Sequence, residues 1–185
     1  MKASDLPSPP ELRRRHEALI AVENLVSGGD DFRSYGSDPP NVLWFSSGSG
    51  DEYRLAFTGD DALLTIFDHE APQSPWGRDD GAPEWPGMFD GLRPHLRALL
   101  PTPEDDEPMS VSACFWFTDG AWHMGDPEPI PDEGDVYDED PGGAAGLLAS
   151  LLDPEAEVRE LVGDVYEQPE RVDEALQLLR RLDKT

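Results

Sequence analysis

Phe67-Asp68-His69-Glu70 sets an imidazole between two carboxylates, the side chains of proton transfer and metal ligation. A His-Glu pair also opens the zinc-protease motif, which needs a second His four residues on, on one helical face. Position 73 is Gln73 and Pro72 intervenes, so this stretch cannot present two ligands from a helix. The run reads as a strand end whose polar groups tie down the next loop. Contact with a partner is the second reading, and catalysis or metal binding the third. Gly48-Ser49-Gly50-Asp51 is glycine-rich, but a phosphate cradle needs a Lys after its last glycine and a helix beneath it. Asp51 would repel phosphate, and the run reads as a turn.

The segment 126–140 contains Asp126, Glu128, Asp132, Glu133, Asp135, Asp138, Glu139 and Asp140. Counted as a calcium loop from Asp138, Asp140 fits the third place, but Gly142 at the fifth and Ala149 at the twelfth do not. A solvated loop, a loose cation site and a docking surface for a basic partner remain as readings. No Gly-x-Ser-x-Gly nucleophile elbow occurs, and His16, His95 and His123 are scattered, so each reads as structural. Cys114 is the only cysteine, which excludes an intrachain disulfide and a cysteine-based zinc site. Its place in an alternating strand predicts a buried, unreactive thiol. No cofactor is expected.

The chain has 185 residues, with 14 basic against 40 acidic and a net charge of −26. That size suits one domain with a real core. Binding to phosphate backbones or anionic membranes needs clustered Lys and Arg, so both are disfavoured. A basic protein is the natural complement. From residue 98 to 158 no Lys or Arg occurs at all, which marks an interaction surface or a solubility device. Met1-Lys2-Ala3-Ser4-Asp5-Leu6-Pro7 has no apolar signal core, and no run approaches the ~18 apolar residues of a membrane span. The expected location is the cytoplasm.

Helices and strands must position these groups. Residues 1–10 are Ser/Pro-rich and read as flexible. A helix is predicted from Pro9-Pro10 to about Val26, with Leu12, Leu19, Val22 and Val26 inward and Arg13, Arg14, Arg15 and Glu17 solvated. Residues 29–41 read as loop. Strands are predicted at 42–45 and 53–58, with a return at 62–67 after Gly59-Asp60-Asp61. The loop 68–86 holds Trp76 and Trp85, and for that reason is expected to pack on the domain. A helix is expected over 88–100, interrupted by Pro94. Asp119-Gly120 joins strands at 111–117 and 121–124, where Phe115-Trp116-Phe117 can pair with Trp122. Helices follow at 143–152, from Pro154 (capped by Asp153) to about Tyr166, and at 169–182. The whole reads as a single α+β domain over 11–185. Its antiparallel sheet, with hairpins near 42–67 and 111–124, is covered by N-terminal and C-terminal helices.

The order of short motifs resembles a family of small bacterial proteins similar to immunity proteins of polymorphic toxin systems. The resemblance runs from Gly48-Ser49-Gly50-Asp51-Glu52-Tyr53 through Phe67-Asp68-His69-Glu70 and Ser74-Pro75-Trp76 to Trp85-Pro86-Gly87. It continues with the aromatic hairpin ending at Trp122, Asp140-Pro141-Gly142-Gly143 before Leu147-Leu148, and Tyr166-Glu167. It spans about 48–180 and departs at Ala71, where Ser is usual in that family. The resemblance implies a stoichiometric, non-catalytic binder that blocks a toxin domain. Many such domains are nucleases and therefore basic, which suits an acidic inhibitor. On this reading the contact residues are Asp132, Glu133, Asp135, Asp138, Glu139 and Asp140, with Tyr137 as an aromatic anchor. Asp68, His69 and Glu70 come second. The alternatives are a small-ligand or regulatory domain, and an enzyme with its site in the loop 68–76.

Overall fold

Turn chemistry sets the sheet. The structure is a computed structural model and describes residues 1–28, 34–77, 84–102, 110–130 and 140–184. Strands β1 (Tyr35–Ser37), β2 (Val42–Ser46), β3 (Glu52–Thr58), β4 (Asp61–Phe67), β5 (Ala113–Thr118) and β6 (Ala121–Met124) form one six-stranded antiparallel sheet in chain order. Asp119 and Gly120 join β5 to β6 with φ of 55° and 81°, the left-handed pair that a type I′ turn requires. Phe117 and Trp122 then face each other across the ladder, ring centroids 5.5 Å apart and edge to face.

Strand β4 is buried on both faces, which is why residues 62–67 form a nearly unbroken apolar run. Leu64 and Ile66 enter one core cluster, and Leu63 enters another with Cys114 and Trp116. Fully burying each such leucine contributes about 2 kcal/mol.

Helices from both ends of the chain cover the first face. They are α1 (Pro9–Val26), α3 (Ala144–Leu147), α4 (Ala149–Leu152), α5 (Pro154–Glu160) and α6 (Val172–Leu182). Prolines occupy the first turn of α1, where their missing N–H costs nothing. Leu12, Leu19, Val22 and Val26 are buried as their spacing predicts, against Ala175, Leu176 and Leu179 of α6 among others. The helix expected over 143–152 is broken at Leu148 into α3 and α4. Asp153 caps α5 by accepting the Ala156 N–H at 3.1 Å. Beyond Glu160 the helix widens into one π turn, Leu161–Val165. Arg15, expected in solvent, instead donates to the Leu151 carbonyl at 2.8 Å and to Glu11 at 2.6 Å, which ties α1 to the end of α4.

The second face is covered by residues 85–100, which place Met88, Phe89, Leu92 and Leu96 over Leu63 and Trp116. Here the expected helix shrinks to one turn, α2 (Pro94–Arg97). Gly87 and Gly91 have φ of 80° and 85°, so the chain before Pro94 runs in successive turns. A Cβ on Gly87 would overlap the Asp126 carbonyl, because the segment after β6 lies directly on it. Trp85 donates its indole N–H to the Glu128 carbonyl at 2.8 Å, and Ala71 and residues 73–75 are buried, so the described part of this loop packs on the domain as expected, with Trp76 itself 53% exposed. Residues 1–8 pass beside β6, with Leu6 buried and the Pro7 carbonyl accepting the Trp122 indole N–H at 2.7 Å. No helix among the described residues is long and apolar enough to cross a membrane.

One edge of the sheet is closed by polar groups inside the core. Glu23 of α1 accepts the N–H groups of Ser34 (2.7 Å) and Tyr35 (3.0 Å) and the Tyr166 hydroxyl (3.1 Å). His16, two turns earlier on the same face of α1, donates from Nε2 to the Gly36 carbonyl and accepts the Tyr53 hydroxyl at Nδ1, both at 3.0 Å. Tyr35 donates to Glu157 at 2.6 Å. These bonds satisfy β1, a strand too short to stand on its ladder alone.

Candidate functional site

The β3–β4 register assembles a cluster of chemically competent side chains around the Asp68-His69-Glu70 run. Glu52 pairs with Phe67, so Asp51 is carried opposite Asp68, and His69 follows at the same end of the sheet. Asp51 accepts both the His69 peptide N–H (3.1 Å) and its Nδ1–H (2.6 Å) on Oδ1. Ser49 and Ser47 hydroxyls approach its other oxygen at 3.3 and 3.4 Å. The Gly-Ser run is thus a turn that dresses Asp51 with donors.

Asp68 is fixed in a different way. Its Oδ1 accepts the N–H groups of Glu70 (2.9 Å) and Ala71 (3.1 Å), an Asx turn that starts the loop. Its own N–H donates to Ser112 Oγ at 2.9 Å, and that hydroxyl donates to the Gly142 carbonyl at 2.7 Å. Gly143, with φ of 71°, lies so close to the Asp68 carboxylate that a Cβ would overlap it. The turn that begins at Asp140 is therefore locked to the same end of the sheet. Gln73 N–H completes the lock by donating to the Pro141 carbonyl at 3.2 Å.

The electrostatics follow from these bonds. The Asp51 hydrogen bond raises the His69 pKa above its ordinary value. Partial burial pushes Asp51 up, but its bonds to His69 outweigh this and hold it below the usual carboxylate value. His69 is exposed and Asp51 half-buried, so the pair lies at the surface and is screened by solvent. His69→Ala is expected to leave the Tm within about 3 °C of wild type. A fall of more than about 10 °C in thermal unfolding would show instead that this bond holds the loop in place.

Chemically, Asp51 orients an imidazole whose Nε2 points away from its carboxylate. That is the arrangement of a base or a ligand waiting for a partner. Asp51, Asp68 and His69 each offer one ligand atom within 4.8 Å of the others. A cation there would compete with the Asp51–His69 bond, since Asp51 Oδ1 already holds the ring. Ser49 bonds to Asp51 rather than to His69, so its hydroxyl is not aligned as a nucleophile beside the base.

Of the residues read as contact candidates, Asp68, His69, Glu70 and Asp140 come together at this end. Asp140 is engaged internally, accepting the Ala145 N–H at 2.6 Å and the Met1 amine at 3.1 Å. Asp132, Glu133, Asp135, Tyr137, Asp138 and Glu139 lie outside the described residues. The other imidazoles have partners too. His16 is buried, His95 meets Asp61 at 2.7 Å, and His123 donates to the Thr118 carbonyl at 3.3 Å. Cys114 is buried as expected, and burial pushes its thiol pKa up.

Sequence reasoning missed Asp51 as the partner of His69, although hairpin arithmetic about Gly59-Asp60 was enough to find it. It also missed the exposure of Trp76, for which no local signal exists. A separate depression of about 620 Å³ lies between the start of α1 and the β3–β4 turn, lined by Pro9, Pro10, Phe57 and Phe117. The Arg13 guanidinium sits 3.8 Å above the Phe57 ring at its margin. In comparisons with protein-family models, curated proteins and solved structures, nothing matches this chain.

Proposed function

We propose that this chain is a non-catalytic, cytoplasmic, immunity-like protein that binds and neutralises a basic toxin or effector domain. One observation carries the reading: a net charge of −26, with a stretch from 98 to 158 that has no Lys or Arg. Such a field accelerates association with a basic domain and repels nucleic acid, so an acidic inhibitor competes well for a basic, nucleic-acid-binding surface. The described acids support it, because Glu70, Asp126 and Glu128 are exposed around the ends of β4 and β6, with the half-buried Asp68 beside Glu70. Asp132, Glu133, Asp135, Asp138, Glu139 and Asp140 are proposed to extend that surface, with Tyr137 among them.

The test is affinity capture from the source cytoplasm at low and high salt, with the eluate identified by mass spectrometry. The expected eluate is a single basic protein, held at low salt and released at high salt. Charge reversal at the exposed Glu70, Asp126 and Glu128 should slow its association and flatten the salt dependence. An empty eluate from folded protein would remove the support for this reading. The 620 Å³ depression beside Phe57 and Phe117 favours a second reading, a small-ligand domain. An apolar ligand retained in native mass spectra of the purified chain would select that one.

A further inference from the structure

The loop that follows Asp68 ends in an aromatic ring held out into solvent. Trp76 is 53% exposed, yet its backbone is pinned. Ser74 and Pro75 beside it are buried, and the Ser74 N–H donates to the Ala71 carbonyl at 2.8 Å. Ser74 Oγ in turn accepts the Trp76 N–H at 3.3 Å. A rigid frame under a projecting indole is a preorganised anchor, since little conformational freedom is lost when a partner covers it.

Gln73 links this anchor to the sheet. It lines one small cavity together with Met124, Cys114 and Phe115. Met124, the last residue of β6, is 41% exposed. Met124 thus shares a cavity with Gln73, and Trp76 stands three residues further along the loop; among the described residues the other exposed large apolar side chains are Leu152 and Val165, both in the C-terminal helices. The rim is acidic, with Asp68 and Glu70 at the start of the loop and Asp126 and Glu128 just past Met124. In the sequence, 68–80 holds four acids against one arginine, and 98–158 holds no cation.

We infer that Trp76 and Met124 form the apolar centre of a docking surface for an arginine-bearing segment of a basic protein. The inference rests on the acidic-partner reading and gives it a place and a chemistry. A guanidinium is flat and weakly hydrated, so it stacks on an indole while its edge N–H groups meet carboxylates. An ammonium matches the charge but not the plane. Charge complementarity also argues against a second copy of this chain as the occupant, since each copy carries −26.

The test uses the full chain labelled with 5-fluorotryptophan and followed by fluorine NMR. The five tryptophans give five resonances, and Trp76→Phe assigns the one that matters. Synthetic oligoarginine, oligolysine and oligoglutamate peptides of equal length are the probes. Oligoarginine is expected to move the Trp76 resonance saturably, to bind more tightly than oligolysine, and to weaken with salt. Trp76→Ala should lower its affinity about tenfold, and Trp76→Phe, which keeps an aromatic face, by no more than about threefold. Unmoved resonances of the other four tryptophans show that the variants are folded. Oligoarginine binding that leaves Trp76 unmoved, or equal affinity for lysine and arginine, would overturn this docking site while leaving the acidic-partner reading intact. Absence of binding at low salt would also overturn it, and the capture experiment then decides the broader reading by itself.

Discussion

Glu23→Ala is expected to destabilise the fold by roughly 3–5 kcal/mol, measured by urea unfolding at neutral pH. The carboxylate is 1% exposed and accepts three hydrogen bonds, from Ser34 N, Tyr35 N and Tyr166 OH. Truncation strands two buried peptide N–H groups, each costing about 1–3 kcal/mol when left unmade, and removes one bond of the half-buried Tyr166 hydroxyl. Partial relaxation and water entry keep the total below the simple sum. Against a typical stability of about 5–15 kcal/mol, the variant should be close to unfolding. Glu23→Gln keeps an acceptor but turns an amide N–H toward other donors, so a smaller loss is expected. Glu17→Ala, on the exposed face of the same helix, should cost about 0.5 kcal/mol or less. A loss below about 1 kcal/mol in Glu23→Ala would contradict the role assigned to the carboxylate.

The second large effect is on acid stability. Burial lowers the His16 pKa to about 4 from an ordinary 6.5, against the opposing pull of the Gly36 carbonyl. The geometry agrees: Nε2–H donates to Gly36, so Nδ1 keeps its lone pair for the Tyr53 hydroxyl. The rings of Tyr35 and Tyr53 stand edge-on to the imidazole at 5.5 and 5.7 Å. Between these two pKa values the unfolded chain binds a proton that the folded chain refuses. Stability therefore falls as pH drops through that window, by roughly 3 kcal/mol in all.

Other groups act at the same time. Glu157, which reaches this cluster through Tyr35, has its carboxyl pKa raised by burial. Its contribution is present at low pH and lost as pH rises, so it opposes His16 near the acid end. Glu23, on the same helix, faces the strand beside it. Acidification also relieves the general repulsion of 40 carboxylates. The readout is therefore the difference from His16→Gln, which cannot take up the proton. Urea unfolding from pH 6.5 down to about 4 should show wild type losing more stability than His16→Gln. Parallel pH profiles would contradict the buried neutral imidazole.

Much of this was legible in the residues. Pro9 and Pro10 announce the start of α1, because only a first turn tolerates two missing N–H groups. Asp119-Gly120 announces the β5–β6 hairpin, because both positions need left-handed backbone. The pattern of 62–67 predicts a strand, but only the structure shows that both its faces are covered. The three-residue β1 was hidden inside an apparent loop, since the N–H groups of Ser34 and Tyr35 at its start are satisfied by Glu23 rather than by another strand. A side chain far away in sequence supplied what a propensity could not show. Residues 88–100 look helical by apolar spacing, yet Gly87, Gly91 and Pro94 dictate turns until α2. At the site, Asp68, His69 and Glu70 were readable as a polar strand end. The His69 bonds to Asp51 and the packing of Asp68 against Gly143 depend on register and tertiary contact.

Whether the chain neutralises a basic domain is tested most directly by titrating the activity of the captured basic protein with this chain at low salt. Neutralisation requires activity to fall linearly to zero at one equivalent, and high salt or Trp76→Ala to weaken the block. Full activity with the chain in excess, under conditions where the two proteins remain bound, would contradict it.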